Sequence, residues 1–453
     1  MDNVIDLVDQ TFFRLDGAAG VGQAVWVYDR PVDIDGLRQF HRHLEQGRLS
    51  RRIERSPLPF GRDRWVSAND RHELEIAAPR RRAEFDAWLG EQVNTPLDAE
   101  RGPGWHLAVL PFTDGGAGVS LVLSHCVTDG IGGCLAIVEA ACGYDGGVDW
   151  PAAGSRKRCR ALREDARQTM RDLPAIGRAV AAAARLARRD RRGAESAAPV
   201  PPRAAGSDER IAVPTATIFL DADEWDARAW ALGGTSNTLF AALAARLAQR
   251  IGRVAEDGSV TLAIPVNKRT ADDTRANAVA MVNITVDPAL VTTDQREIRT
   301  AIRHALIRSD QEDDERQTLL PLVPLLPKRL IKRMVGVATG GVSNVVVTSN
   351  LGAAPPEVNR PDGTDADYVA VRSLYPGVTK SLMHQLGGML SLHSGRLHQQ
   401  LVVSVAAYQP GVVDSNDVLK QHVTSVVDEF ALSATIGWPR KYSRRPSLFG
   451  EIA

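Results

Sequence analysis

The chain has 453 residues, more than one domain of about 100 to 200 residues accounts for, so two or three units are expected. Apolar residues make up 44% and charged residues 24%, the averages of a folded globular protein, which excludes a disordered or fibrous class for the chain as a whole. Lysine plus arginine and aspartate plus glutamate number 55 each, so no global field would gather nucleic acid or an anionic surface.

The start, MDNVIDLVDQTFF, has neither a basic n-region nor a long apolar run. No later stretch reaches the roughly 18 apolar residues of a membrane span, which predicts a cytoplasmic protein. Residues 23–29 (QAVWVYD) and 118–124 (GVSLVLS) read as strands, whereas LRQFHRHLEQG and AEFDAWLGEQV carry the apolar spacing of helices. Cys126, Cys134 and Cys142 recur every eight residues and, with Cys159, form no Cys-x-x-Cys pair. A reducing compartment fits that pattern, and a disulfide framework does not.

From Arg156 to Arg203 arginine and alanine dominate, basic side chains exceed acidic ones by about nine, and APVPPRAAG closes the stretch as a Pro-rich breaker. This predicts a linker over 151–210 between an N-terminal half, 1–150, and a C-terminal half, 211–453. Within it AIGRAVAAAARLARRD has the pattern of a basic helix with a weak apolar face, suited to peripheral contact with an anionic lipid surface. Beyond it TATIFLD reads as a strand, and a helix from about Leu239 to Ile251 can be capped by Thr235, Ser236 or Asn237. Strands are predicted at 260–266, 281–287 and 343–349, then an antiparallel pair at GGMLSLHSG and LHQQLVVSVAAY, and a capped last helix in VVDSNDVLKQHVTSVVDEFAL. Both halves are therefore mixed α/β of the α+β kind. Their similar sizes and element types suit a pseudo-duplicated architecture.

The segment SLVLSHCVTDGIGG carries the chemistry. A strand runs into His125, followed by Cys126, Val127 and Thr128, then Asp129 and Gly130 at the entry to a helix. A histidine just past a strand end can project into a cleft, and a neutral imidazole is the side chain best matched to removing a proton from an attacking hydroxyl at neutral pH. A thiol leaves a tetrahedral adduct readily, so one base with oxyanion donors suffices for acyl transfer from a thioester. Asp129 has two readings: the N-cap of the following helix, or a buried carboxylate held by an arginine from elsewhere in the chain. No Gly-x-Ser-x-Gly elbow occurs. His41 and His43, like His393 and His398, lack the spacing and flanking ligands of a zinc site, so no metal and no tightly bound cofactor are expected.

SHCVTDG resembles the His-His-x-x-x-Asp-Gly motif of the chloramphenicol acetyltransferase-like superfamily, which includes condensation domains, polyketide-associated acyltransferases and bacterial wax ester synthase/diacylglycerol acyltransferases. NTPLDAERGPGWHLAVLP, GGTSNTLFAALAARL, IPVNKRTADDTRANAVAMVNITVD and VTSNLGAAP are similar, in order, to further segments of the last group. The resemblance implies two such domains, each a mixed sheet with flanking helices, meeting at a tunnel that holds the histidine. It implies that His125 is the general base, with Asp129 and Gly130 as its motif partners, that Asp129 points away from the reacting centre and pairs with Arg269, and that Thr348, Ser349 and Asn350 supply oxyanion or cleft-lining groups. Asn237 belongs to the matching helix start. The co-substrate implied is acyl-CoA or the phosphopantetheine of an acyl-carrier protein, and the acceptor a hydroxyl or amine of a small molecule or lipid. The sequence departs from the pattern at Ser124, where the first histidine of the pair would stand, and at Thr238, where an aspartate would. Alternatives are a free-standing condensation-type enzyme using carrier-protein donors, and a noncatalytic binding module on the same scaffold.

Overall fold

The computed structural model describes residues 3–15, 20–68, 72–144, 148–194, 209–270, 272–311, 317–327, 330–331 and 344–441. The first half runs α1 (Leu7–Leu15), β1 (Val21–Tyr28), α2 (Ile34–Gln46), β2 (Arg51–Glu54), β3 (Arg64–Ser67), β4 (Glu75–Ile76), α3 (Phe85–Val93), β5 (Trp105–Pro111), β6 (Ala117–Ser124) and α4 (Gly130–Ala141). After α5 (Arg158–Ala194) come β7 (Thr215–Asp221), α6 (Ala222–Ala231), α7 (Ser236–Arg250), β8 (Val260–Asn267), β9 (Val279–Val286) and α8 (Arg296–Gln311). The chain continues through β10 (Val346–Ala353), β11 (Tyr368–Leu374), α9 (Lys380–Leu386), β12 (Met389–Leu397), β13 (Gln400–Tyr408), α10 (Asn416–Glu429) and β14 (Ala434–Ile436).

Two mixed sheets form two lobes, in the orders β11-β1-β6-β5-β4 and β14-β7-β13-β12-β10-β8-β9. All eight residues of β6 are buried, because helices or the other lobe cover both faces of the first sheet. Alternation along β1 sends Ala24, Trp26 and Tyr28 toward α2 and α4, with Leu37, Phe40 and Ile137. Val25 and Val27 face the opposite way and join Phe85, Trp88, Phe219, Tyr368, Val402 and Trp438. That second cluster draws on strands of both sheets, so the two lobes share a core.

Most elements predicted by periodicity lie within a few residues of their expected bounds. The hairpin β12–β13 pairs Met389 with Tyr408 and Leu397 with Gln400, and of the three offered caps of α7 it is Thr235 whose side chain accepts from the Thr238 amide. The strand expected at 343–349 begins at Val346, residue 343 lying outside the described residues.

Two findings alter the organisation read from the sequence. Within the stretch read as a linker, the basic helix expected at AIGRAVAAAARLARRD is part of one longer helix, α5, over 158–194, with Pro174 inside it and the segment Gln317–Leu325 lying against it; residues 195–208 fall outside the description. And β11, from the C-terminal half, pairs antiparallel with β1 from Val21↔Leu374 to Val27↔Tyr368, so the first lobe is not continuous in sequence. Among the described residues no helix is long and apolar enough to cross a membrane, and Cys126, Cys134, Cys142 and Cys159 form no disulfide.

Candidate active site

Strand β6 ends at Ser124, and the next five residues form a loop that distant parts of the chain grip. Ser124 Oγ accepts from the Cys126 amide at 3.2 Å, which gives the serine a local turn-forming role where the His-His-x-x-x-Asp-Gly motif has its first histidine. The His125 amide donates to the Gly20 carbonyl at 3.3 Å, and its ring stacks on Phe12 of α1 with centroids 5.8 Å apart. The His125 carbonyl accepts from Asn277 Nδ2 at 2.9 Å. Arg51 of β2 donates to the Val127 carbonyl from Nε at 3.1 Å and to that of Thr274 from Nη1 at 2.6 Å, with its guanidinium over the Trp65 ring.

Asp129 fills both of its readings at once. Oδ1 accepts from the Gly132 amide at 2.7 Å, capping α4. Oδ2 accepts from Arg269 Nη2 at 2.9 Å and from the Ala278 amide at 2.8 Å. The two carboxylate oxygens point in different directions, so neither role excludes the other. Arg269 also donates to the carbonyls of Arg275 at 2.8 Å and Ala276 at 3.0 Å, which closes the 268–278 loop between β8 and β9 around its guanidinium. This loop belongs to the second sheet and reaches over to the loop of the first. Gly132 permits the approach, since a Cβ there would sit 2.6 Å from Thr128 Oγ1 and 3.1 Å from Asp129 Oδ1. Gly130 opens α4, and a Cβ on it would meet Leu351 Cδ2 at 2.8 Å, so β10 closes against the motif from the other lobe.

The three residues that the resemblance offers as oxyanion or cleft-lining groups, Thr348, Ser349 and Asn350, separate by face. Thr348 is level with Leu392 in the β10–β12 register and turns its hydroxyl toward the Ala263 carbonyl, on the core side of the second sheet. Ser349 is level with His393 and therefore lies on the opposite face. Burial, with a smaller contribution from the nearby His125, pushes His393 down to about 4. Ser349 and His393 thus stand on the His125 side, whereas Thr348 does not. Asn350 and Asn237 bond to each other, tying β10 to the first turn of α7, and Thr238 meets the Thr235 hydroxyl at 2.8 Å within the helix cap.

Burial lowers the pKa of His125 below the ordinary imidazole value, against the opposing pull of Asp129, the Thr128 backbone and Asn277. The ring is therefore neutral at pH 7, the form that accepts a proton. Sequence reasoning missed Asp9, Phe12, Arg51, Asn277 and His393. Asn277 stands in the RANAVAMVN stretch that carries part of the resemblance, a signal present but not used. Asp9 gives no local sign: it is fully buried and accepts from the Ala276 and Asn277 amides at 2.9 and 2.7 Å, across 267 and 268 residues of chain. Burial pushes its carboxyl up to about 6 in spite of Arg51 and those donors.

Asn277 bridges the two lobes' contributions, since Nδ2 donates both to the His125 carbonyl and to Asp9 Oδ1 at 3.1 Å. Asn277→Ala is expected to lower stability by about 1 to 3 kcal/mol, the range for leaving buried polar partners unsatisfied. It should also slow any reaction that depends on the placement of His125. Thermal melts and single-turnover rates on the same protein check both, and an unchanged melt with an unchanged rate would remove Asn277 from the site.

A cavity of about 520 Å³ lies elsewhere, between the β2–β3 ribbon and α5, and none of the predicted site residues lines it. No protein-family model and no curated protein matches the chain. Solved structures do. The first condensation domain of the CDA synthetase superposes with a TM-score of 0.55 at 16% identity, over 95% of this chain and 96% of that one. The wax ester synthase/diacylglycerol acyltransferase from Marinobacter aquaeolei VT8 gives 0.53 at 14% identity, over 95% of this chain and 100% of its own. Polyketide synthase associated protein 5 from Mycobacterium tuberculosis gives 0.53 at 15%, over 92% and 96%. The two lobes, the strand that crosses between them and the loop gripped from both sides thus make up the chloramphenicol acetyltransferase-like fold, over nearly the whole chain.

Proposed function

We propose that the chain is an acyltransferase that moves an acyl group from a thioester to a hydroxyl or amine, with His125 as general base. The observation that carries this reading is the placement of His125: a neutral imidazole just past the end of β6, on a loop fixed by Arg51, Asn277 and Arg269, at the meeting of both lobes. Its Nδ1 is buried, which leaves Nε2 as the nitrogen that can meet an acceptor. In the step proposed, Nε2 takes the acceptor's proton as its oxygen or nitrogen attacks the thioester carbonyl. The tetrahedral adduct collapses by breaking the carbon–sulfur bond, and the imidazolium returns the proton to the departing thiolate. Ester or amide and free thiol are the products. Asp129 takes no part in proton transfer, because its oxygens are committed to Gly132, Ala278 and Arg269. Ser349 is the hydroxyl best placed by its face to approach the oxyanion.

The likeness to a condensation domain over 95% of the chain favours a second reading of the donor, an acyl-carrier protein in place of acyl-CoA. Both present the same pantetheine thioester. Mass spectrometry of the protein incubated with acyl-CoA or with acyl-carrier protein, each with a panel of alcohols and amines, separates the two by which donor releases free thiol and yields product. Release from neither donor by folded protein would favour a binding module that keeps the scaffold without turnover.

A further inference from the structure

A second cluster of ligand-type side chains lies on the outer side of the first lobe. His41 and Glu45 stand four apart on α2 and so share one helix face. The segment between β3 and β4 brings His72 to the same point. One nitrogen from each histidine and one carboxylate oxygen all lie within 4.8 Å of one another. Three atoms so placed lie no more than about 2.8 Å from a common point, so each must close by less than about 1 Å to reach the 2.0 to 2.2 Å of zinc bonds, within reach of small side-chain rotations. The two imidazoles pack together with centroids 4.9 Å apart, and both rest on Trp105, at 5.0 Å for His41 and 4.2 Å for His72.

A polar atom left over points to a ligand. His41 is 4% exposed, and its Nε2 is buried with no hydrogen-bond partner, a state that ordinary core histidines avoid. Glu45 is half engaged: Oε1 accepts from the His72 amide at 3.2 Å, while Oε2 stands 3.9 Å from His41 Nδ1. His43, two residues on from His41, turns elsewhere, its Nδ1 meeting the Ala140 carbonyl at 2.8 Å.

We propose that His41, Glu45 and His72 bind one divalent cation of the zinc class, tying the segment at His72 to α2. Two imidazoles and a carboxylate suit zinc, with a fourth position left to water, and exclude the oxygen-only preference of calcium or magnesium. The role is structural, since none of these side chains belongs to the loop at His125.

The full-length, tag-free protein, stripped with a chelator, is titrated with Co²⁺ alone and separately with Zn²⁺ alone. The expected results are a visible d–d absorption that saturates at a single ion per chain, and a higher melting temperature with Zn²⁺. Because His41 is buried and its replacement can unfold the lobe, the test rests on Glu45→Gln and His72→Gln, each expected to weaken binding by at least about 100-fold. His43→Gln is expected to leave binding unchanged. Folded wild-type protein that takes up no ion, or uptake that survives both substitutions, overturns the proposal.

Discussion

His125→Ala is expected to lower the rate of acyl transfer by at least about 10²- to 10⁴-fold, with little change in melting temperature or donor affinity. The asymmetry follows from where the loop's bonds originate. The contacts with Gly20 and Asn277 that use the backbone of His125 survive the substitution, whereas the ring contributes its stacking on Phe12 and its interactions with Asp129, the Thr128 backbone and the Asn277 side chain. The wild-type pH profile adds a second readout. A base whose pKa is lowered by burial stays deprotonated below 6.5, so activity is expected to hold level through neutral pH and to fall only as that lowered value is crossed. Stability moves in the same direction. The folded protein binds fewer protons at such sites than the unfolded chain does, so stability declines as pH drops below 6.5, and for His393 the loss continues to about 4. Undiminished turnover in His125→Ala, or an acid limb lying above 6.5, would remove His125 from the base role.

The parts of this molecule that the sequence makes legible are those with local causes. The strand-like composition of 215–221, the alternation read across 400–408 and the Thr235 cap of α7 depend on neighbours a few residues away, and these elements stand close to where the sequence puts them. The basic helix read at AIGRAVAAAARLARRD lies within α5, whose full length and whose packing against Gln317–Leu325 have no local signal. Strand β11 is short, and its pairing with β1 spans more than half the chain, so nothing near Tyr368 announces which sheet it will join. The site divides in the same way. His125 and Asp129 form a compact motif with a nameable chemistry. The groups that hold the motif, Asp9, Arg51 and Asn277, act through backbone amides and carbonyls, and a backbone partner leaves no residue-type signature in the sequence. The split of Thr348 from Ser349 was equally hidden, because which face of β10 looks toward His125 is set by its register with β12.

The pairing of Asp129 with Arg269 predicts strong coupling between two positions 140 residues apart. Side-chain exposures of 11% and 4% leave little solvent to screen the charges. Removing either partner leaves the other's charge buried among groups arranged to balance it, at about 3 to 5 kcal/mol. Asp129→Ala also deletes the cap on Gly132, for which about 0.5 to 2 kcal/mol is the ordinary loss, so the cap alone cannot reach the larger figure. Arg269→Ala in turn releases the Arg275 and Ala276 carbonyls and loosens the loop that carries Ala278 to Asp129. Asp129→Asn separates the two effects, because an amide oxygen can still accept from Gly132 while the charge that faces Arg269 is gone. In a double-mutant cycle on melting stability, Asp129→Ala and Arg269→Ala are expected to show an interaction energy well above the roughly 0.5 kcal/mol error of independent sites. Asp129→Asn should fall much nearer to Asp129→Ala than to wild type. An additive cycle, with Asp129→Asn as stable as wild type, would mean that the carboxylate serves α4 alone and that Arg269 holds only its own loop.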